Sequence, residues 1–588
     1  MEKNTIIAIV LSTIIIVISF TLFGPKSQPI AEQPVEQVEP EFVNTAGQTT
    51  GPAEPVILTP EIPAETDPVR EEISVIETPL MRVEFTNRGG DIISFKLKEH
   101  SDKEEFVEMA DNVTEKSRAF SVFLGDDTGI LVDQLFNVKR ISDTAIGFYQ
   151  TLTIKNQDGT NSNFTLAKQY TFVPNDYMFE LKISIDGDPS FRGLQFGQSS
   201  YTVKTSPQIG PEWRKEDRYE YRRFYYFQNG SKKKDAKVGN NQTKTVTDSF
   251  TWAGVAGKYF TLVAMPLSPI QKATFTTVPD TPGLTTAEMF LTRAPITANT
   301  NTDVWYFYAG PREEKALAKY NAAGNNFFGL NNTKLNQIVE SSGILAPIEF
   351  LLKWIMELFY KVIPNWGVAI ILMTILMRAI IFPLTKKSSE ATKKMQAMQP
   401  KIQEIQQKYK DNPQKMNEEM AKFYKTVGYN PMSGCLPMLI QFPLIIAMFN
   451  LFNNYFEFRG AMFIPGWIPD LSVPDTVYTL PFTIPLVNWS EVHLLPVIYV
   501  FSQLLSQKLM QTPSATPQNN SMKFMMYGLP LIFFFIFYNA PSGLLIYWIF
   551  SNILALVQQV IVNRMMKNKE PEVSLEEVKT TKKKTAKK

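Results

Sequence analysis

The chain has 588 residues, with 59 basic and 57 acidic side chains and a formal net charge of +2. This balance gives no chain-wide basic surface for nucleic acid, and the length allows several domains. A single cysteine, Cys435, excludes an internal disulfide framework. The two histidines, His100 and His493, are far apart in sequence, which argues against a histidine metal cage or a Ser-His-Asp triad.

The first 70 residues combine an apolar segment with a polar one. Residues 6–23 form an uncharged run of 18 residues, long enough to cross a bilayer as one helix. No small-residue cleavage site follows it, so residues 1–23 are interpreted as an uncleaved membrane anchor. Residues 24–70 are rich in proline, glutamate and glutamine, which predicts an extended flexible linker.

Residues 71–312 carry the alternating pattern of strands. Met81, Val83 and Phe85 alternate with polar neighbours, and a turn at residues 87–91 precedes a second such run. The same period recurs at residues 177–185, and residues 156–159 form a second predicted hairpin turn. The pattern predicts a large antiparallel β-sandwich. A sugar-active enzyme domain is the alternative, although no acid/base pair or metal-ligand set is evident in the sequence.

Residues 313–366 change to a helical period. Apolar residues recur every three or four positions from Leu345 to Val362, accompanied by Trp354, Tyr360 and Trp366. Because an apolar segment follows at once, this amphipathic helix is predicted to lie in the membrane interface, where tryptophan and tyrosine are enriched. Packing as a cap on the β-domain is the alternative.

Five further segments are predicted to cross the membrane. Pro383 is expected to end the first of them. The fourth has a run of only 15 uncharged residues, about 22 Å as a helix against a hydrocarbon core of about 30 Å, so the bilayer around it is expected to be thin. With the anchor they make six spans. Their residues are 367–384, 435–458, 493–510, 524–538 and 544–563.

The charges of the connecting segments predict the orientation. Ten lysines and five acidic residues lie within 385–434, and nine basic and four acidic residues lie at the carboxyl end from residue 563. These segments, the loop 511–523 and the basic tail 564–588 are predicted to be cytoplasmic. The loop 459–492 has one basic residue and is predicted to lie outside. Both termini are then cytoplasmic, and the β-domain lies on the outer side.

The cytoplasmic segment 385–434 has its own pattern. Two apolar stripes, within residues 395–409 and 416–427, flank a turn at Asp411-Asn412-Pro413. They predict an antiparallel helical hairpin with a methionine-rich surface.

Polar residues inside the predicted spans are the main functional signal. Arg378 lies one helical turn after Thr374, and the apolar runs of the other predicted spans, 436–452, 494–510, 524–538 and 544–562, contain no acidic residue. A guanidinium in a membrane is costly unless it meets water or a partner, which predicts a hydrated cavity. Snorkelling of Arg378 to the cytoplasmic interface is the alternative. Other polar residues could line the cavity or make plain helix-to-helix hydrogen bonds: Gln441, Ser502, Gln503, Ser506, Gln507, Ser551, Asn552, Gln558 and Gln559.

Three stretches resemble the YidC membrane protein insertases of bacteria that have an outer membrane. They are Met398–Gln403, Tyr429–Pro443 and Pro541–Trp548. The resemblance implies a multidomain membrane protein with six transmembrane α-helices. Its periplasmic domain would be an all-β supersandwich, and its five-helix core would enclose a hydrophilic groove open to cytoplasm and lipid. It also implies the groove and substrate-contact residues, which are Arg378, Thr374, Gln441, Phe442, Pro443, Tyr547, Trp548 and Ser551.

The function implied is insertion of nascent membrane proteins without covalent chemistry, nucleotide hydrolysis, cofactor or metal. A polar, often acidic flank of the substrate would be held by Arg378 while its apolar helix slides along the spans 435–458 and 544–563 into lipid. The implied partners are nascent membrane proteins, membrane lipids, and the Sec translocon with its accessory subunits. Ribosomes would bind through the cytoplasmic loops and the basic tail, and DNA is not expected.

Two functions of other classes remain open at the level of sequence. A secondary transporter or channel with an anion site at Arg378 would require inverted repeats, and no internal repeat is found. A sugar-active enzyme anchored by the helices would require paired carboxylates in the β-domain.

Overall fold

A computed structural model describes residues 69–567, except 103–104, 156–158, 213–219, 236–241, 248–249, 278–285, 341–342, 429–435, 485–486, 488 and 511–527. The predicted anchor and the loop 511–523 lie outside the described residues. So do the linker, apart from residues 69–70, and the basic tail, apart from residues 564–567. Strands occupy the first half of the described chain, and helices occupy most of the second half.

The described residues of the β-domain form nineteen strands in three antiparallel sheets. In chain order they are β1 (Ile73–Glu77), β2 (Met81–Thr86), β3 (Asp91–Asp102), β4 (Glu105–Glu108), β5 (Val122–Leu124), β6 (Ile130–Leu131), β7 (Asn137–Ser142), β8 (Ala145–Lys155), β9 (Asn161–Phe172), β10 (Met178–Gly187), β11 (Tyr201–Lys204), β12 (Arg223–Gln228), β13 (Ser231–Asp235), β14 (Gln242–Val246), β15 (Trp252–Ala256), β16 (Phe260–Pro266), β17 (Ile270–Thr277), β18 (Glu288–Arg293) and β19 (Thr300–Pro311).

The strand order explains how the sheets share one core. The sheets run β1-β2-β3-β4, β13-β12-β15-β16-β19-β10-β9-β8-β7 and β14-β17-β18-β11-β5-β6. Phe224 of the nine-stranded sheet meets Phe275 of the six-stranded sheet, with ring centroids 4.9 Å apart. Phe179 of the nine-stranded sheet meets Phe95 of the four-stranded sheet at 5.6 Å. The predicted antiparallel β-sandwich is confirmed.

The period-two pattern of the sequence is what buries this core. Met81, Val83 and Phe85 on β2 are fully buried, as are Leu181 and Ile183 on β10, while the residues between them face outward or are half-buried. Alternation places one face of each strand against the neighbouring sheet. The turn after β2 uses left-handed backbone at two glycines, which lets the chain reverse tightly.

The helical region starts with a short helix, α1 (Glu314–Ala318). The longer helices are α2 (Ala346–Val362), α3 (Trp366–Lys408), α4 (Pro413–Val427), α5 (Leu436–Asn454), α6 (Leu495–Met510), α7 (Leu529–Phe537) and α8 (Ser542–Lys567). A hairpin of β20 (Thr476–Ile484) and β21 (Trp489–His493) separates α5 from α6. Within the described residues two segments are long and apolar enough to cross a membrane, 366–391 and 542–565. The count of six spans therefore stays a prediction.

One expectation about the first long helix is wrong. Pro383 does not end α3, which continues as one helix through Pro383 and Pro400 to Lys408. A proline removes one backbone hydrogen bond, and contacts on both sides of it can outweigh that loss. Before the proline, the helix is buried in the helical core; after it, Ser389 donates a hydrogen bond to Gln559 of α8 at 3.3 Å. The turn before α4 is as predicted, with Asn412 capping the helix.

The amphipathic helix α2 packs against the helical core rather than on the β-sandwich. Its residues Leu352 and Met356 are fully buried in the same apolar cluster as Ile370 of α3 and Phe452 of α5. Its opposite side exposes large apolar side chains, which are Phe350, Leu351, Trp354, Leu358 and Val362. The alternative of a cap on the β-domain is therefore wrong.

The β-domain and the helical region meet just after α5. Phe456 packs edge-on against His100 of β3 and Phe260 of β16, with ring centroids 5.2 and 5.7 Å apart. The guanidinium of Arg459 lies 5.0 Å from the centre of the Phe260 ring and 3.5 Å from the carboxylate of Asp102. We call these five residues the junction.

Candidate substrate groove

Five helices, α3, α5, α6, α7 and α8, enclose a groove of about 620 Å³ in the helical region. The lining combines one arginine with hydroxyl and amide side chains and a smaller number of aromatic rings. The lining residues are Arg378, Ile381, Thr385, Gln441, Ile445, Tyr499, Gln503, Ser506, Gln507, Phe533, Phe537, Tyr547, Trp548, Ser551, Asn552, Ala555, Gln558 and Gln559.

Arg378 is the only charged side chain among these lining residues. Its Nε and Nη2 atoms donate to the hydroxyl of Ser551 at 3.2 and 2.6 Å. In the part of the chain that the structure describes, no carboxylate lies within ion-pair distance of this guanidinium. A cation held by a neutral hydroxyl keeps most of its attraction for an anion, since its charge is not compensated.

Amide and hydroxyl groups fix the backbone and neighbouring helices around Arg378. Gln558 of α8 donates to the backbone carbonyl of Arg378 at 2.7 Å. Asn552 of α8 donates to the hydroxyl of Ser502 on α6 at 3.0 Å. The side-chain oxygen of Gln558 is buried and accepts no hydrogen bond from the described residues. The groove thus presents polar atoms to whatever enters it.

An aromatic wall forms one side of the groove. Trp548 of α8 packs against Phe537 of α7 with ring centroids 4.5 Å apart, and against Tyr499 of α6 at 5.4 Å. Tyr547 is buried and reaches Gln441 and Ser551 with its hydroxyl. The rings present apolar area next to the polar lining, so one cavity offers both kinds of contact.

The structure brings together most of the residues that the sequence singles out. Arg378, Gln441, Tyr547, Trp548 and Ser551 all line the groove. The polar residues predicted on α6 and α8 also line the groove. The exception is Ser502, which lies behind the lining and accepts a hydrogen bond from Asn552. Most of the polar side chains predicted inside the spans therefore line this one groove.

Two predicted site residues lie away from the groove lining, and the side chain of a third is outside the described residues. Thr374 is buried outside the groove lining, and its hydroxyl donates to the carbonyl of Ile370 at 2.6 Å. A threonine in a helix satisfies its hydroxyl in this way without any ligand. Pro443 is half-buried on α5 and is not among the lining residues. The side chain of Phe442 lies outside the described part of the structure.

Sequence reasoning missed two polar members of the lining, Tyr499 and Thr385. Both follow from helical spacing. Tyr499 precedes Gln503 by four residues and Ser506 by seven, so all three share one face of α6. Thr385 follows Arg378 by seven residues, on the same face of α3. Among the described residues, no group of histidine, cysteine or acidic side chains could hold a metal ion.

Comparisons with known proteins match both regions of the chain. The model of the family "60Kd inner membrane protein" matches residues 358–570, and the model "YidC periplasmic domain" matches residues 74–336. A "Membrane protein insertase YidC" of Treponema denticola is 52% identical over 96% of this chain and 100% of its own length. A protein of the same description from Treponema pallidum is 43% identical over 96% of this chain and 99% of its own length.

A solved structure, described as an active YidC insertase crystal structure with the first transmembrane domain resolved, covers 86% of this chain and 94% of its own. Its TM-score is 0.34 and its identity is 17%. The family models cover 213 and 263 residues, and the Treponema relatives cover nearly the full length. These relatives are insertases, not enzymes. The chain belongs to the YidC family of membrane protein insertases, inner-membrane proteins with a periplasmic β-sandwich domain that act on nascent membrane proteins.

Proposed function

We propose that the groove receives the polar flank of a nascent membrane segment, and that Arg378 is the group that holds it. The observation that carries this proposal is the hydrogen bonding of Arg378. Its guanidinium contacts a neutral hydroxyl, and the described lining contains no acid. An acidic or carbonyl-rich flank would supply the missing acceptor atoms. Snorkelling alone leaves the other polar lining residues without a role.

The polar lining lowers the barrier to crossing. A polar flank that moves through hydrocarbon loses its hydrogen bonds to water, at several kcal/mol for each unsatisfied group. Gln503, Gln507 and Asn552 offer donors and acceptors along the groove, and solvent can follow the flank into the open side. A membrane potential would add about 2.3 kcal/mol per acidic charge per 100 mV for outward movement.

The apolar helix of the substrate would leave sideways into lipid along the spans 435–458 and 544–563. Tyr547 and Trp548 of α8 line the groove, and the family resemblance adds Phe442 and Pro443 of α5 as further contacts of the substrate helix. Beyond the groove, α8 exposes Ile553 and other apolar side chains, as a lipid-facing helix does. The short fourth predicted crossing, within residues 524–538, would thin the bilayer and shorten the path.

This function requires the membrane orientation predicted from loop charges. Six spans, counting the anchor 1–23, put both termini in the cytoplasm, with the hairpin 385–434 and the basic tail 564–588. Lysine-rich cytoplasmic segments suit a ribosome, which presents phosphates. Cooperation with the Sec translocon and its accessory subunits completes the proposal, alongside insertion by this protein alone.

The test is a complementation and insertion assay on the whole chain. Cells depleted of their own insertase would carry the unmodified chain, Arg378→Ala or Arg378→Lys. A small two-span membrane protein would be scored for protease accessibility of its translocated loop, with either an acidic or a neutral loop. We expect Arg378→Ala to lower insertion of the acidic form about tenfold, the effect of a lost charged hydrogen bond of about 1.5 kcal/mol. Arg378→Lys should retain most of the insertion of the acidic form.

The matched control is Thr385→Ala, which changes another polar lining residue on the same face of α3. It should affect both loops slightly and equally. An equal loss of the acidic and neutral forms in Arg378→Ala would contradict a role in holding the flank. Failure of the unmodified chain to restore insertion, with solute flux depending on it, would favour a transporter.

A further inference from the structure

The β20–β21 hairpin between α5 and α6 carries an exposed apolar surface that the insertion mechanism does not use. Tyr478 and Phe482 are each 61% exposed, Val477 is 47% exposed and Ile484 is 36% exposed. Almost the whole of β20 is solvent-exposed in the described structure. An isolated two-stranded hairpin is marginally stable in water, and this one has no third strand.

The hairpin carries little charge. From Thr476 to Ser490, which includes all of β20, the sequence contains no acidic or basic residue, and Glu491 on β21 is the one acidic residue of the hairpin. Exposed edge strands in soluble proteins usually carry lysine or another charge that prevents pairing with other chains. The absence of such a charge matches an environment that is itself apolar.

A stack of aromatic rings ties the hairpin to α7. The Trp489 ring lies 3.6 Å from the Tyr538 ring, nearly parallel to it, and stacks on Phe535 at 5.7 Å. The hydroxyl of Tyr538 donates to the carbonyl of Glu491 at 2.9 Å. Phe535 is itself 46% exposed on α7, whose residues 529–537 are all apolar. The hairpin surface therefore continues the outward-facing surface of an apolar helix.

The same surface continues on the other side into α6. Leu494, Val497 and Phe501 follow β21 directly, and Phe501 is 68% exposed. Val497 and Phe501 are four residues apart and share one face of the helix. An exposed apolar surface spread over a hairpin and two helices, with tryptophan and tyrosine at its margin, is typical of the headgroup boundary of a membrane.

We propose that the β20–β21 hairpin lies in the headgroup boundary of the outer leaflet and binds lipid there, beside the outer ends of α6 and α7. It would not enter the hydrocarbon, because the unpaired edge of β20 needs water or headgroups for its backbone hydrogen bonds. Such a lipid contact would hold the outer end of α7 through Trp489. The inference rests on the orientation proposed above, in which residues 459–492 face outward.

The test uses depth-dependent fluorescence quenching on the full chain. Cys435 is first replaced by Ser, and Phe482→Cys is then labelled with an environment-sensitive fluorophore. The protein is reconstituted in phosphatidylethanolamine–phosphatidylglycerol vesicles that carry a nitroxide at the headgroup, at a shallow or at a deep acyl carbon. Tyr149→Cys, at an exposed site on β8 of the β-domain, is the matched control. Val477→Cys is a second labelling site in case Phe482→Cys is poorly incorporated.

We expect the label at 482 to be quenched several-fold more by headgroup and shallow nitroxides than by the deep one, and several-fold more than the label at 149. Quenching equal to that at 149 would overturn the proposal, since the hairpin would then be in water. Strongest quenching by the deep nitroxide would overturn it as well. Shielding that appears only at high protein-to-lipid ratio would assign the surface to a second copy instead.

Insertion measured in the same vesicles separates this inference from the proposed function. Shallow quenching without insertion would leave the lipid contact standing and contradict the function. Insertion with the label at 482 in water would support the proposed function and overturn the lipid contact. Trp489→Ala should reduce the quenching at 482 severalfold, because the stack on Tyr538 and Phe535 is what places the hairpin beside α7.

Discussion

The β-domain and the helical region each bury positive charge, and they treat it in opposite ways. In the β-domain, the Lys168 ammonium is fully buried and lies 2.6 Å from the Asp91 carboxylate. Arg118 binds the other oxygen of the same carboxylate at 3.0 Å. We call these three residues the buried charge cluster. In the groove, Arg378 has a serine hydroxyl in the corresponding position and no described carboxylate.

Under the proposed function, the difference separates a charge that holds structure from a charge that is kept for a ligand. Lys168 also donates to the carbonyls of Gly89 and Phe120, at 3.0 and 2.8 Å, so its donors are used within the fold. Burial lowers the pKa of Lys168, and the Asp91 carboxylate opposes that shift. The cluster is closed to solvent, whereas Arg378 borders an open groove. The buried charge cluster uses its charges within the fold. In the proposed function, Arg378 keeps its attraction available for a substrate.

Breaking the buried charge cluster should have the largest effect on stability. Asp91→Ala removes the one carboxylate that Lys168 and Arg118 share. It leaves the buried Lys168 without an ion-pair partner among the described residues and Arg118 with only the half-exposed Asp133, at a cost of about 3–5 kcal/mol. The measurement is a urea titration of the detergent-solubilised full chain with brief proteolysis, in which fragments are assigned by mass to the β-domain or the helices. The midpoint of the β-domain fragments should fall strongly.

The matched control is Glu84→Ala on β2, whose carboxylate lies 3.0 Å from Arg82 in a partly exposed ion pair. Exposed pairs contribute about 0–1 kcal/mol, so this midpoint should move little. Equal shifts in the two variants would mean that burial does not distinguish the pairs.

The contrast between the two regions could be predicted only in part from the sequence. The strands and the groove lining follow from periods of two and 3.6, because side chains at those spacings share a face wherever the chain goes. The polar side chains at 503 and 507 are predicted in this way, and Ser551 is predicted as a polar residue inside an apolar span. The ion pairs of the β-domain could not be predicted, since Asp91 and Lys168 are 77 residues apart and lie on strands of two different sheets, which meet only when the sheets pack.

Two other features escaped the sequence for related reasons. The continuation of α3 past Pro383 depends on contacts with neighbouring helices, which a local propensity does not contain. The burial of Thr374 away from the groove depends on the rotation of the helix, and a one-turn distance from Arg378 fixes that rotation only loosely. The junction at Phe456 joins residues more than 350 positions apart and left no local signal.

A smaller effect is expected at the junction, where the two regions touch. His100 accepts or donates a hydrogen bond with the Tyr177 hydroxyl at 3.0 Å, and Arg459 lies nearby. Burial, aided by the positive charge of Arg459, lowers the pKa of His100 from its ordinary value near 6.5 to about 4. Between these values the separated state binds more protons than the docked state, so docking weakens as the pH falls from about 6.5 to about 4. Below that range it weakens no further.

Hydrogen exchange of the full chain in lipid nanodiscs would measure this. The ring is partly exposed, so we expect a loss of about 1 kcal/mol in docking between pH 7.5 and pH 5, visible as faster exchange around residues 95–101 and 456–459. His100→Asn should remove the pH dependence. Exchange that accelerates equally in His100→Asn would assign the effect to another group.

The smallest effect on stability is expected where the effect on function is largest. Arg378→Met keeps the length of the side chain and removes a buried charge that no described carboxylate pairs. Ser551 loses a hydrogen-bond donor, but its hydroxyl can turn to the carbonyl of Tyr547, four residues earlier in the helix. The helical fragments should therefore unfold within about 0.5 kcal/mol of the unmodified chain in the urea titration. Arg118→Met is the matched variant, since it removes a buried arginine that does have a carboxylate partner, and its β-domain fragments should unfold much earlier. If Arg378→Met destabilised its region as much as Arg118→Met does, the guanidinium of Arg378 would be a structural charge after all, and the distinction between the closed cluster and the open groove would collapse.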